Sequence, residues 1–138
     1  MDLNLNWSFK MKRLLLACSV LAISALGAQA GEPPNFFKNT YPENALQSAW
    51  VEYQAVYSED GAISAKMKQL IALGVAAQIP CEYCVIAHGM KARKLGATEA
   101  EIREAIAVSS LVRKWSTVLN GSAYDMDKFK AEIGVPTN

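Results

Sequence analysis

The chain has 138 residues, of which 51% are hydrophobic and 20% are charged, and this is enough for one compact domain with its own core. Fourteen basic and thirteen acidic side chains give a formal net charge of +1. Because there is no basic surplus, the composition argues against a nucleic-acid partner.

The first 30 residues have the layout of a secretory signal peptide. Lys10, Lys12 and Arg13 precede the uncharged run LLLACSVLAISALGAQA, which ends in a small-x-small triplet at Ala30. The run is shorter than the about 20 apolar residues that a membrane-spanning helix requires. We therefore expect cleavage after Ala30 and export, in a bacterial chain to the periplasm, with no membrane attachment afterwards.

Three alternatives concern the same segment. Met11 is an alternative start, because MKRLLL is a more typical n-region than the residues before it. Cys18, in LLAC, resembles a lipoprotein site, although little apolar sequence separates it from Arg13. Retention of the segment as an N-terminal anchor helix is the third alternative.

Export would leave Cys81 and Cys84 as the only cysteines of the mature chain, because Cys18 lies in the removed segment. Exported proteins occupy compartments in which disulfides persist. A three-residue spacing closes a loop too short to constrain the unfolded chain much. The pair is therefore a poor structural crosslink, and this favours a redox role.

The rest of the chain divides into a leader and a helical domain. Residues 31–44, GEPPNFFKNTYPEN, contain three prolines and are expected to be extended. Residues 45–138 have helical period and helical end signals, without the alternation typical of strands. The sequence predicts an all-α domain of about five helices, of which the last is short and covers about residues 125–133.

The first two helices are predicted from their end signals. One covers Glu43–Tyr57 and ends before the turn at Gly61. The next begins after Ser64, a good N-cap, and stops before Pro80. Its sequence AKMKQLIALGVAAQI is apolar almost all round, which predicts a central, buried helix.

The third and fourth helices meet at a short turn. The third is predicted over residues 81–95, and Gly96 suits its C-terminal stop. Thr98 and Glu101 have the spacing of a capping box at the start of the fourth helix, which runs to about Leu119.

The run PCEYCVIAHG contains the candidate reactive residues and lies on the predicted third helix. At 100° per residue, Cys81, Cys84 and His88 fall on one stripe about 60° wide. Both cysteines lie in the first turn, where free amides and the helix dipole favour a thiolate. A nearby imidazole can take the thiol proton. Glu82 and Tyr83 face away from the stripe and are assigned no chemistry.

Other interpretations of the run are possible. A c-type haem attachment is excluded, because it requires a histidine directly after the second cysteine, where this chain has Val85. Zinc stays open if an acidic residue or a second subunit adds a fourth ligand to the two cysteines and His88. A packing role for all three residues also stays open. Trp50, Trp115 and the tyrosines are interpreted as packing or interface groups.

The stretch from Lys68 to Gly121, which joins this run to its flanking helices and the KLGAT turn, resembles the alkyl hydroperoxidase D-like group of the carboxymuconolactone decarboxylase superfamily. The resemblance implies that residues 45–138 form a helical domain in which a helical hairpin presents the site, usually in trimers or hexamers. It implies a thiol-dependent peroxidase that cycles through a Cys81–Cys84 disulfide. An external dithiol would reduce it, and no flavin, haem or metal is required.

By this resemblance Cys84 is the attacking cysteine, Cys81 its resolving partner and His88 the proton relay. The helix dipole alone favours Cys81 as the more acidic thiol, so the order of attack stays open. The family pattern has a glutamate twelve residues before the first cysteine, where this chain has Gln69. Because an amide does not titrate, we expect weaker peroxidase turnover than in members with the glutamate.

Three hypotheses therefore compete. The first is an exported antioxidant peroxidase that acts on a hydroperoxide. The second is an exported thiol–disulfide exchange protein, and the third is a non-catalytic oligomeric binding protein with a weakened site. Lactone decarboxylation is disfavoured, because the true decarboxylases of the superfamily do not rely on a CxxC pair.

Overall fold

A computed structural model describes residues 31–136, so the predicted signal peptide, with Cys18, lies outside the described residues. Within that range the regular structure is six helices and no strand, which confirms the all-α prediction. None of these helices is long and apolar enough to cross a bilayer. In chain order they are α1 (Asn35–Thr40), α2 (Glu43–Tyr57), α3 (Ala65–Gln78), α4 (Glu82–Lys94), α5 (Glu99–Gly121) and α6 (Met126–Glu132).

The chain divides into two compact units, and the second begins at Glu52. In the first unit the expectation of an extended segment over residues 31–44 is wrong, because α1 lies inside it. The Pro34 carbonyl accepts the Phe37 amide at 2.9 Å, and the Phe37 ring meets the Trp50 ring edge to face with centroids 5.2 Å apart. A six-residue helix is unstable alone. Aromatic packing around Phe37, invisible to a periodicity argument, supports it.

Helix α3 is the centre of the second unit and packs against both α4 and α5. The Ser64 hydroxyl caps it by accepting the Met67 amide, as predicted. The side towards its neighbours is buried, and Leu73 is only 2% exposed. The third side is open, with Ile71 and Val75 51% and 55% exposed. The prediction of all-round burial is therefore wrong for this side, because two neighbouring helices cover only two sides of a third.

The turn between α4 and α5 has the predicted stop and capping box. Gly96 adopts φ +82°, in the left-handed region. Its amide and that of Ala97 bond the carbonyls of Arg93 and Ala92, each at 2.9 Å, in the pattern of a Schellman motif. The capping box follows at once, since Thr98 and Glu101 bond each other's amides reciprocally. The rigid turn brings Ala97 into the core.

The core of the second unit lies where α3, α4 and α5 meet. Gly74 permits a close approach of α3 to α5, because a Cβ at this position would lie 3.3 Å from the Ser109 Cβ. The buried apolar side chains of the core cluster are Leu70, Leu73, Ala92, Ala97 and Ile102, with Val85 and Ala105 packed against them. This packing fixes α3 against α4, the two helices that carry the candidate site.

Candidate active site

The cysteine pair lies at the start of α4. The helix begins at Glu82, one residue later than predicted, and Cys81 is its N-cap. The sulfurs of Cys81 and Cys84 form a disulfide, with the Cα atoms 5.2 Å apart. The Cys81 sulfur also accepts the Cys84 amide at 3.2 Å. In the reduced protein such an amide donor favours a thiolate at Cys81, in line with the helix-dipole argument.

Gln69 and His88, which are nineteen residues apart, meet between α3 and α4. The Gln69 amide oxygen lies 2.8 Å from Nδ1 of His88. Because an amide oxygen can only accept, the imidazole donates Nδ1–H and Nε2 is left unprotonated in the neutral ring. Gln69 is 3% exposed, so this bond is shielded from water on the Gln69 side. Gln69 thus contacts the imidazole through an amide, which does not titrate.

The surroundings of His88 hold its pKa below the usual value. Burial is the larger cause, because it disfavours the charged imidazolium, and the positive charge of Lys91 one turn later acts in the same direction. The ring of Tyr57 stacks on the imidazole with centroids 5.5 Å apart and planes inclined by 29°. Burial and Lys91 therefore favour the neutral form of His88, and Tyr57 and Gln69 orient its ring.

Tyr57 and Tyr53 form an aromatic layer beside His88 that the sequence did not predict. Their ring centroids are 4.8 Å apart on α2. The Lys91 ammonium lies 4.7 Å over the Tyr53 ring and also donates to the Tyr53 hydroxyl. Burial raises the pKa of the Tyr57 phenol, with the neighbouring Tyr53 as the second cause. The four-residue spacing of the two tyrosines on a predicted helix was the available signal, but it does not indicate which helix they face.

A cavity of about 480 Å³, here called the redox groove, opens beside Cys84 and His88. Cys84 lines it and Cys81 does not. The other lining residues are mostly apolar, namely Val56, Tyr57, Ile63, Lys68, Ile71, Ala72, Val75, Ala76 and Ile79. A molecule in this groove would therefore meet the Cys84 sulfur and the imidazole from a largely apolar surface.

The remaining expectations concern Glu82 and Tyr83, beside the cysteines, and a metal site. Glu82 is exposed and Tyr83 is 88% exposed, so neither faces the histidine stripe, as predicted. Within residues 31–136 no group of three or more histidine, cysteine, aspartate or glutamate side chains is arranged to hold a metal ion.

The arrangement has the parts of a thiol redox site. Reduction of the disulfide would release one sulfur beside a neutral imidazole in the groove and a second sulfur at the helix N-cap. The first is placed to meet a small molecule, and the second is within bonding distance of the first. The pair can therefore close the disulfide in the arrangement that the structure describes.

A family model and two curated proteins each match part of the chain. The family model described as "Carboxymuconolactone decarboxylase family" matches residues 44–124. "Uncharacterized protein 4 in cox locus" of Paracoccus denitrificans is 38% identical over 69 residues, 50% of this chain and 62% of that protein. A protein of Cupriavidus necator is 32% identical over 65 residues, 47% of this chain and 58% of that protein. No solved structure matches the chain.

The chain thus spans about three-fifths of the length of these curated relatives. The family match covers more than half of the chain and includes α3, α4 and α5. By that match and by its helical fold, the chain belongs to the carboxymuconolactone decarboxylase family, which includes peroxidase-type members.

Proposed function

We propose that the protein is a thiol-dependent peroxidase that reduces a hydroperoxide and cycles through the Cys81–Cys84 disulfide. The observation that carries the proposal is that one sulfur of the disulfide lines the same groove as His88. Cys84 is assigned as the attacking residue because it reaches the groove. Cys81 is the resolving residue because it lies behind Cys84 at the N-cap.

The cycle has three balanced steps. The Cys84 thiolate attacks the O–O bond of ROOH, which gives a Cys84 sulfenic acid and, after a proton is delivered to the leaving alkoxide, the alcohol ROH. The Cys81 thiolate then attacks the Cys84 sulfur, forms the disulfide and releases hydroxide, which is protonated to water. An external dithiol returns both sulfurs to thiols and is itself oxidised to a disulfide.

His88 serves this cycle as the local proton acceptor and donor. Its neutral ring has Nε2 free of a proton, so it can take the thiol proton of Cys84 and return it to the leaving oxygen. Gln69 is a positioning residue, because it acts only through Nδ1 of His88. The absence of a titrating group at position 69 predicts a slow cycle rather than a different one.

Hydroperoxide consumption by the reduced protein, without residues 1–30, tests the proposal. We expect cysteine-dependent consumption that Cys84→Ser abolishes. Cys81→Ser should still react once and leave a sulfenic acid that dimedone traps. Equal consumption by the wild type and Cys84→Ser, or none with any dithiol reductant, would contradict the proposal. In the second case either thiol–disulfide exchange or a non-catalytic binding role would be favoured.

Thiol–disulfide exchange on proteins is a second candidate, favoured by the uncharged Gln69. Exchange requires a disulfide and an accessible surface but no proton relay to an alkoxide. A reduction potential for the pair close to those of protein oxidoreductases, together with exchange on a reduced protein and no peroxide consumption, would favour this candidate.

From the signal-peptide pattern of residues 1–30 we also propose that the protein is exported. From its exposed apolar surface we propose that it self-associates. Helix α5 exposes large apolar side chains, with Val112 67% and Trp115 55% exposed. A single chain of this size gains from covering such a surface. Light scattering should give a homo-oligomer, a trimer or hexamer, that Val112→Glu dissociates. A monomer at micromolar concentration would contradict the proposal.

A further inference from the structure

We propose that the redox groove binds an anionic amphiphile, with Lys68 holding a carboxylate and the open side of α3 holding the alkyl chain. If the proposed peroxidase function holds, the substrate is a fatty-acid hydroperoxide. Only this last step rests on the proposed function, because binding of the amphiphile requires no catalysis.

Lys68 supplies the charge. It lines the redox groove together with Cys84 and His88, and its ammonium donates to the Ser58 carbonyl at 2.6 Å. Within the part of the chain that the structure describes, no carboxylate pairs with Lys68. Glu59, next to Ser58, instead accepts the Ala65 amide. An ammonium has three donors, so Lys68 keeps a charge and two donors for a ligand in the groove.

Apolar side chains continue the groove from Lys68 along α3. Ile71, Val75 and Ile79 lie three, seven and eleven residues further on, the spacing of one helix face. All three are at least half exposed. By the helical rise, Lys68 and Ile79 are about 16 Å apart along the axis. The lining is thus an apolar strip with one cation at its end, which matches a single-chain carboxylate.

The reactive groups lie along this strip. Gln69, directly after Lys68, bonds His88, so the cationic end of the groove is the end near the imidazole. Cys84 lies one turn before His88 on α4 and faces the same cavity. A chain whose carboxylate meets Lys68 would therefore pass the imidazole and the Cys84 sulfur before it reaches Ile79. A hydroperoxide on that chain would be reduced to the alcohol, with the oxygen leaving as water as in the cycle above.

The test of binding uses the disulfide form, which cannot turn over. Octanoate and octan-1-ol have the same chain and differ in charge, and the chain's single histidine reports binding by NMR. We expect octanoate to bind about tenfold more tightly than octanol at low salt, because a charged hydrogen bond adds to the same apolar contact. Lys68→Met should remove the difference between the two affinities and keep octanol binding. Lys68→Arg should retain the difference.

Lys66→Met is the matched control, since Lys66 is on the same helix, is paired with Glu101 at 2.7 Å and does not line the groove. It should leave both affinities unchanged. Equal binding of octanoate and octanol to the wild type would overturn the proposal, and so would a preference that Lys68→Met does not reduce. The first comparison needs no variant, so it stands even if Lys68→Met does not fold.

A kinetic comparison separates this inference from the proposed function. With linoleic acid hydroperoxide, Lys68→Met should raise KM about tenfold with little change in kcat, because the ammonium binds substrate and does not touch the reacting oxygens. With the methyl ester, KM should not change. If the protein binds octanoate through Lys68 but consumes no hydroperoxide, the proposed function fails and the binding site stands. If it consumes the acid and the ester equally well, the proposed function stands and the carboxylate site at Lys68 fails.

Discussion

Replacement of Gln69 by glutamate tests the account of the histidine directly. The Gln69 oxygen lies 2.8 Å from Nδ1 of His88, and the substitution would place a carboxylate oxygen at the same point. A negative charge there stabilises the imidazolium, so the pKa of His88 should rise from its depressed value. The shape of the side chain hardly changes, which confines the perturbation to charge.

The size of the pKa shift depends on two opposing contributions, the attraction between the charges and the desolvation of the carboxylate. Unit charges about 4 Å apart attract by about 4 kcal/mol at an effective dielectric constant of 20. Against this, position 69 is 3% exposed, and taking a carboxylate out of water costs several kcal/mol. Close charge pairs in proteins shift a pKa by about 1–3 units. We expect the low end, about one unit, which corresponds to about 1.4 kcal/mol.

The assay is an NMR titration of the imidazole signals in the disulfide form. The chain contains one histidine, so the signals need no assignment by mutation. Gln78→Glu is the matched control, because Gln78 is on the same helix but bonds Arg113 and the Ser109 carbonyl. It should leave the titration of His88 unchanged. In the reduced protein, Gln69→Glu should also raise peroxide turnover near neutral pH.

The sign of the pKa shift decides whether the side chain at position 69 contacts His88. An unchanged or lowered pKa of His88 in Gln69→Glu would mean that the two side chains do not meet, or that the new carboxyl stays protonated. Either result would refute our account of position 69. A raised pKa without faster turnover would separate the two claims, since the contact would then be correct and the relay role wrong.

Three further predictions concern the fold that holds the site. Leu73→Ala should lower the free energy of unfolding by about 2–5 kcal/mol in urea titrations, because Leu73 is almost fully buried between α3 and its neighbours, and a loss below about 1 kcal/mol would contradict this. Gly96→Ala should cost about 1–2 kcal/mol at φ +82°, whereas Gly121→Ala, with no positive φ and open space for its Cβ, should not destabilise. The Lys66 ammonium and the Thr98 amide and hydroxyl lower the pKa of Glu101 from 4.5 to about 2. Its stabilising contribution is therefore complete above pH 4.5 and lost as the pH falls towards 2, so Glu101→Gln should flatten the stability profile in that window, and an unchanged profile would contradict the assignment.

The helices and their ends were largely predictable because they depend on local chemistry. Ser64, Thr98 and Gly96 act through hydrogen bonds and backbone angles within a few residues, and the structure has each of them in the predicted role. The short helix α1 was not predictable from local signals. It depends on Phe37 reaching Trp50, a contact between residues thirteen positions apart that no periodicity reveals.

The residues of the candidate site could be chosen from the sequence, whereas their surroundings could not. The stripe of Cys81, Cys84 and His88 follows from helical geometry, and Gln69 entered only through a family pattern. The stacking of Tyr57 on His88 and the place of Lys68 in the redox groove depend on how α2, α3 and α4 pack. Because no single segment determines the packing angle between two helices, the sequence contained no signal that linked these two residues to the site.

Three consecutive residues of α3 show how one segment serves fold, chemistry and binding together. Gln69 bonds His88, Leu70 enters the core and Ile71 lines the redox groove. Successive helical residues point about 100° apart, so the three directions need no irregularity in the helix. The same geometry explains why the helix resembles a fully buried one, since core and groove both require apolar side chains. Lys68 and Gln69 are neighbours at the same end of the redox groove, so a carboxylate at position 69 should also weaken carboxylate binding at Lys68, and the effects of Gln69→Glu and Lys68→Met should be coupled in the double variant.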